Sequence, residues 1–230
     1  MLDIIVPVFN EEDGLHEFYK RITALDLECH LIFIDNASTD RSLEILESFE
    51  DVTIIRHESN EGYGASLRDG IRAASADKIV IIDADCEYPP EAVPLIAQEL
   101  ERHDAVYASR FLDDRNREGM GYAKMLGNKI ISKAFNLLFR QNVTDLYTGS
   151  KGFRRQIVCD LPMERDGFEH VLEVAARLSR QGVVIHEIPV DFRSRQTGTS
   201  KMSHLAETLK YLCFLLLYYF TLASASEKSP

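Results

Sequence analysis

The 230-residue chain has no excess of basic charge: 26 Lys and Arg stand against 37 Asp and Glu, a formal net charge of −11. That balance argues against a nucleic-acid coat and a polybasic membrane tail, so an anionic ligand has to be gripped by local groups. Paired cysteines are missing as well. Cys29, Cys86, Cys159 and Cys213 are far apart, with no C-x-x-C and no His/Cys cluster at metal-ligand spacing. A reduced, cytoplasmic chain is expected, without a disulfide framework and without zinc. Met1 runs into an apolar segment with neither a basic n-region nor a small-residue cleavage site, so no secretory leader is expected.

Two nucleotide-binding signatures are also absent. Gly62-x-Gly64 lacks the third glycine of the dinucleotide fingerprint and follows Asn60-Glu61 rather than a strand, and no G-x-x-x-x-G-K-[ST] occurs. A dehydrogenase and a P-loop ATPase are therefore disfavoured. The glycines are expected to start a helix close to a ligand or a neighbouring strand, or to make a plain turn. The seven histidines show no paired spacing and read as surface or core residues.

What is present is an alternation. Short apolar runs (Ile4 to Phe9, Leu31 to Ile34, Val52 to Ile55, Ile79 to Ile82) are separated by segments with helical periodicity (Gly14 to Leu25, Arg41 to Phe49, Ala65 to Ala74). This pattern predicts an α/β domain with a mostly parallel sheet covered on both faces. Ligands bind such sheets beyond the carboxyl ends of the strands, and the residues there are polar: Asn10-Glu11-Glu12, Asp35-Asn36-Ala37-Ser38, Asn60-Glu61-Gly62 and Asp83-Ala84-Asp85. Further on, the reading is a strand at Ala105 to Phe111, a mobile loop at Asp113 to Glu118, and a helix from Tyr122 to Phe139. That helix places Leu126, Ile130, Ala134, Leu137 and Leu138 on one face and Lys124, Asn128 and Ser132 on a polar stripe that faces solvent or a site. A helix at Phe168 to Arg180 and an apolar run at Val183 to Ile188 follow. The uncharged, aromatic stretch Tyr211 to Ala223 has thirteen residues, short of the roughly 20 that a membrane-spanning helix needs. It is expected to lie at a bilayer interface, to pack on the core, or to pair with a second copy.

The strongest chemical signal follows the run Ile79 to Ile82. Strand alternation would aim Asp83 and Asp85 to one side, with Glu87 joining them after the turn. Crowded carboxylates repel unless a cation sits between them, and oxygen donors suit Mg²⁺ or Mn²⁺.

Taken in order, Val6-Pro7-Val8-Phe9-Asn10-Glu11-Glu12, Ile34-Asp35-Asn36-Ala37-Ser38-Thr39-Asp40, Asn60-Glu61-Gly62-Tyr63-Gly64 and Asp83-Ala84-Asp85 resemble the family 2 glycosyltransferases of GT-A fold. Phe192 to Lys201 is similar to the F-x-x-R-x-x-G-x-S-K segment of the dolichyl-phosphate mannosyltransferase-like branch, which glycosylates polyprenyl phosphates. The resemblance covers Leu2 to Met202. It implies a Rossmann-like three-layer α/β/α domain over residues 1–203, followed by an apolar, aromatic helix over 204–230 for membrane contact or packing. It also implies an inverting, metal-dependent hexosyltransferase, peripherally bound to the cytoplasmic side of a membrane, that moves sugar from a UDP- or GDP-sugar to a polyprenyl phosphate.

The same resemblance implies roles for residues. Pro7, Val8, Asn10, Glu11, Asp35, Asn60, Gly62, Asp83, Ala84, Asp85 and Lys201 fall on the nucleotide-sugar side, with Asp83, Asp85 and Glu87 holding Mg²⁺ or Mn²⁺. Arg110, Lys124, Asn128 and Ser132 fall on the acceptor phosphate, where arginine can make two parallel hydrogen bonds. Asp85, Arg110, Asp145 and Arg195 are the catalytic candidates: Arg195 or Lys201 neutralises the departing diphosphate, and Asp145, with Glu169 as rival, orients the sugar or acts as base. Two alternatives stand beside this reading, transfer to a saccharide hydroxyl on the same fold and a non-catalytic nucleotide-sugar-binding module. Homo-oligomerisation through the C-terminal helix is a further expectation.

Overall fold

The computed structural model describes residues 1–113, 117–118, 121–193 and 204–226. The first half builds as the periodicity requires: β1 (Leu2–Val8), α1 (Leu15–Thr23), β2 (Cys29–Asp35), α2 (Ser42–Glu47), β3 (Val52–Arg56), α3 (Tyr63–Ala73) and β4 (Lys78–Ile82). β1 is buried along its whole length, as a central strand covered on both faces must be. One polar residue interrupts it. Asp3 is buried, and its Oδ2 accepts the backbone N–H groups of Ser75 and Ala76 at 2.6 and 2.7 Å, tying the turn after α3 to the sheet.

The second half contains α4 (Ala92–Glu99), β5 (Ala105–Ser109), β6 (Arg117–Glu118), α5 (Tyr122–Phe139), β7 (Ser150–Arg154), α6 (Arg155–Val158), α7 (His170–Arg180), β8 (Ile185–Pro189), β9 (Phe192–Arg193) and α8 (His204–Ser226). The main sheet has seven strands in the order β3-β2-β1-β4-β7-β5-β8, and β7 alone runs antiparallel to its neighbours β4 and β5. α1, α2 and α4 cover one face around Phe18, Leu46 and Ile96, while α3, α5, α7 and α8 cover the other around Leu67, Phe135, Leu172 and Leu215. The layering is therefore the expected three-layer α/β/α.

Several particulars differ from the sequence reading. α4 and β7 were not anticipated: three prolines surround the start of α4, and β7 reads Ser-Lys-Gly-Phe-Arg, a poor strand by propensity that its place between β4 and β5 overrides. Gly152 in β7 is required because a Cβ there would collide with Ile96 of α4. The segment read as a loop carries β6, which pairs with β9. α5 is rotated from the expected orientation: Asn128, Ile131, Ser132, Phe135 and Phe139 are buried, while Leu126, Ile130 and Leu137 point outward. α8 buries Tyr211, Leu215 and Tyr218 against the core and exposes Leu209, Leu216, Leu217 and Phe220. Among the described residues no helix is long and apolar enough to cross a membrane.

Candidate active site

The chain leaves β1 towards β2 and β3, then returns to β4 on the other side of β1. That reversal opens a crevice at the carboxyl ends of β1 and β4, the place where such sheets bind ligands. Pro7 and Val8 are buried at its floor. Asn10, at φ 55°, turns the chain out of β1, and its Oδ1 accepts the Thr39 N–H at 2.7 Å. The Asn10 and Glu11 N–H groups donate to Ser38 Oγ and Ser42 Oγ. These bonds join the loops after β1 and β2, which brings Glu11 to the corner where buried Asp35 ends β2. Asn10, placed by sequence among the nucleotide contacts, thus spends its side-chain oxygen on the loop itself.

Behind this corner lies a network that the sequence did not announce. Asn36 Oδ1 accepts the Glu61 N–H at 2.8 Å and its Nδ2 donates to Asn60 Oδ1 at 3.0 Å, so the amide orientation is fixed. The buried His57 therefore donates from Nδ1 to Asn36 Oδ1 at 3.0 Å, with its Nε2 3.3 Å from Asp69 Oδ2. Gly62 has φ 100°, and a Cβ on it would collide with the Asp166 carbonyl. That carbonyl accepts the N–H of Gly64 at 2.6 Å. The glycine pair lets α3 start against the 165–167 loop, which is neither a ligand nor a strand.

β4 ends at Ile82, so Asp85 lies in a turn and strand alternation does not govern it. Asp83 Oδ1 accepts the Tyr63 hydroxyl at 3.0 Å, and Asp85 Oδ1 accepts the Glu87 N–H at 2.9 Å. Asp83, Asp85 and Glu87 are each partly exposed beside buried Ala84. Their donor atoms are not all drawn within 4.8 Å of one another. Two carboxylates completed by water and phosphate oxygens is nevertheless the usual Mg²⁺ arrangement, and the donor set of this turn contains carboxylate oxygens that fit it.

Arg110 and Asp145 form the best-defined polar unit. Asp145 is 0% exposed and Arg110 4%. Arg110 donates from Nε to Asp145 Oδ2 at 2.7 Å and from Nη2 to Oδ1 at 2.8 Å, and its backbone N–H donates to Oδ2 at 3.1 Å. Asn128 Nδ2 donates to Asp145 Oδ1 at 2.6 Å, and Ser132 Oγ donates to Asn128 Oδ1. The guanidinium also lies 5.4 Å from the Tyr88 ring and 5.3 Å from the Phe192 ring. Asp145 holds the arginine charged, against the opposing effect of burial. Arg110, Asn128 and Ser132 were expected to grip an acceptor phosphate, and Asp145 to act on the sugar. In the structure they grip one another, because a buried guanidinium needs a carboxylate more than either needs solvent. Glu169, the rival base, faces Lys210 at 3.6 Å. The Lys124 side chain, Arg195 and Lys201 lie outside the described residues.

The floor of the crevice holds a cation that sequence reading missed. Lys151 of β7 is buried opposite Ile81 and Tyr107. Burial pushes its ammonium down to about 8, against the pull of Asp83 and Asp145. His170 at the start of α7 is pushed down to about 3 by burial and then by Lys151, and remains neutral. Burial and the charge on Asp83 hold the Tyr63 hydroxyl well above its ordinary value.

The sequence profile described as "Glycosyl transferase family 2" matches residues 3–161. Among curated proteins, the dolichol-phosphate mannosyltransferase of Pyrococcus furiosus is 28% identical over 213 residues, 87% of this chain and 59% of that one. The undecaprenyl-phosphate 4-deoxy-4-formamido-L-arabinose transferase of Proteus mirabilis is 30% identical over 216 residues, 89% of this chain and 63% of that one. The chain thus spans about three fifths of the length of these relatives. Among solved structures, glucosyl-3-phosphoglycerate synthase from Mycobacterium tuberculosis in complex with UDP superposes with a TM-score of 0.74 at 20% identity, covering 96% of this chain and 80% of that one. The same enzyme with Mn²⁺, UDP and glucosyl-3-phosphoglycerate gives 0.73 at 19%. These superpositions establish a GT-A fold.

Proposed function

Since this chain belongs to glycosyl transferase family 2, we propose that it moves a sugar, with inversion, from a UDP- or GDP-sugar to a polyprenyl phosphate. The observation that carries the reading is the crevice at the reversal point of the sheet, where Asp83 and Asp85 leave β4 opposite Glu11 and the buried Asp35. Its support in likeness is the pair of curated relatives named for dolichol phosphate and undecaprenyl phosphate.

Pro7, Val8, Glu11 and Asp35 wall the base and ribose side of the crevice, with the loop of Asn60 braced behind them through Asn36. Asp83 and Asp85, with Glu87 behind, are the residues to hold Mg²⁺ or Mn²⁺, which when bound neutralises the diphosphate. The M. tuberculosis fold neighbour was solved in complex with both Mn²⁺ and UDP. A phosphate monoester has a second pKa near ~6, so a polyprenyl phosphate is largely dianionic at neutral pH and needs little help from a base. The state of Asp145, buried with both oxygens occupied, favours this acceptor over a saccharide hydroxyl, which needs a base within reach. The remaining task is to hold two anions in line for attack. Lys151, whose ammonium burial lowers to about 8, adds positive charge near Asp83 and Asp145 at neutral pH, and Arg195 and Lys201 are assigned to the departing diphosphate.

The outward apolar residues of α5 and α8, Leu137 and Phe220 being 83% and 66% exposed, are assigned to the membrane surface that carries the acceptor. Tyr, Phe and Leu on a helix whose uncharged stretch, Tyr211 to Ala223, is too short to span suit that interface. The test is turnover: the chain, Mn²⁺ or Mg²⁺, a panel of nucleotide-sugars and short polyprenyl phosphates, read as lipid-linked sugar. Transfer by the wild type that Asp85→Asn abolishes is the expected result. Turnover of saccharide acceptors alone, or none with any donor, overturns the reading.

A further inference from the structure

The sequence shows no metal-ligand spacing among its histidines, yet folding brings two of them onto one carboxylate. Glu99 ends α4, and His103 lies one turn further on, its N–H donating to the Glu99 carbonyl at 2.9 Å. His186 is the second residue of β8, and its position is fixed by pairing with Val106 of β5. The Nε2 atoms of His103 and His186 lie 3.7 and 3.8 Å from the same Glu99 Oε2, and all three side chains offer donor atoms within 4.8 Å of one another. Two imidazoles and one carboxylate, with a fourth direction open to water, is a donor set of zinc type, unlike the oxygen-only set at Asp83 and Asp85.

We propose that Glu99, His103 and His186 form a second metal site, for a divalent transition-metal ion of which Zn²⁺ is the type. Tetrahedral Zn²⁺ with bonds of about 2.0 to 2.1 Å holds its donors roughly 3.4 Å apart, so the carboxylate–imidazole distances need to close by only a few tenths of an ångström. The two rings lie parallel, with centroids 3.9 Å apart, and each turns about its Cβ–Cγ bond to aim a lone pair at a shared ion. Side-chain exposures of 36% and 38% leave room for that turn. The site sits at the amino ends of β5 and β8, the opposite end of the sheet from Asp83 and Asp85. A metal there ties α4 to β8, an edge strand.

Calorimetric titration of the full chain with ZnCl₂ in excess Mg²⁺, which occupies oxygen-donor sites, reads the site directly. One Zn²⁺ per chain is expected, and His103→Ala or His186→Ala weakens it by well over about tenfold, the loss that removing a supporting residue alone can reach. At a hundredfold excess over Kd the wild type melts roughly 5 to 10 °C higher, and the double variant does not shift. Co²⁺ gives a visible d–d spectrum without a thiolate charge-transfer band, which sets the four free cysteines aside. No Zn²⁺ binding below about millimolar, undiminished binding in the double variant while its zinc-free melting temperature matches wild type, or a thiolate band would each overturn the proposal.

Discussion

Replacing Asp145 with asparagine keeps the shape of the residue and removes its charge. Arg110 then faces a neutral amide while remaining 4% exposed, with Nε and Nη2 at 2.7 and 2.8 Å from the substituted group. Removing one partner of a buried ion pair costs about 3 to 5 kcal/mol, because the remaining charge stays desolvated without compensation. For a chain of this length each kcal/mol lowers Tm by about 2 to 4 °C, so Asp145→Asn is expected to melt roughly 6 to 20 °C lower. Calorimetry and urea unfolding measure the loss independently. Arg110→Met alone is expected to be nearly as costly, since it strands the carboxylate. The double replacement Arg110→Met with Asp145→Leu should be less costly than the two single losses added together, because neither member of the pair is left buried without the other. It should not regain wild-type stability, since Asn128 Nδ2 and the backbone N–H of residue 110 lose their acceptor. A single-variant loss under about 1 kcal/mol, or a double-variant loss equal to the sum of the singles, would refute the account of this pair as a mutually dependent unit.

Acid should weaken the fold through His170. Its folded pKa of about 3 lies below the ordinary 6.5, so the unfolded chain takes up a proton that the native state refuses. Stability is then full above about pH 6.5 and falls by about 2 kcal/mol on the way to pH 5. Urea midpoints against pH measure this, and the dependence should flatten in His170→Gln. Gly62→Ala is expected to destabilise by about 1 to 3 kcal/mol, because it adds a Cβ at φ 100° against the Asp166 carbonyl; a variant as stable as wild type would show that the 165–167 loop yields freely. Leu217→Glu with Phe220→Glu, both exposed, should leave Tm within about 1 °C and weaken sedimentation with zwitterionic vesicles by tenfold or more, since each apolar side chain contributes about 1.5 to 3 kcal/mol when buried. Unchanged vesicle binding would move the membrane contact elsewhere.

Alternation of apolar runs and amphipathic segments was enough to read β1 through α3, because each of those elements buries a face whose period is local. The polar residues after β1, β2 and β4 were legible for the same reason: a parallel sheet puts every loop of that kind at one end. β7 was not legible, since Ser-Lys-Gly-Phe-Arg becomes a strand only by filling the gap between β4 and β5. The rotation of α5 was hidden too. Leu126, Ile130 and Leu137 form a stripe as apolar as Ile131, Phe135 and Phe139, and the choice between them was made by Asp145, which draws Asn128 inward.

Chain order therefore settled the architecture and the end of the sheet where the polar loop residues gather, because period and polarity act over a few neighbouring residues. Which polar groups spend their hydrogen bonds on one another, as Arg110, Asp145 and Asn128 do, and which are brought together from distant parts of the chain, as His103 and His186 are, depended on packing. Those pairings join residues far apart in sequence, and their energy depends on a burial that exists only once the layers have closed.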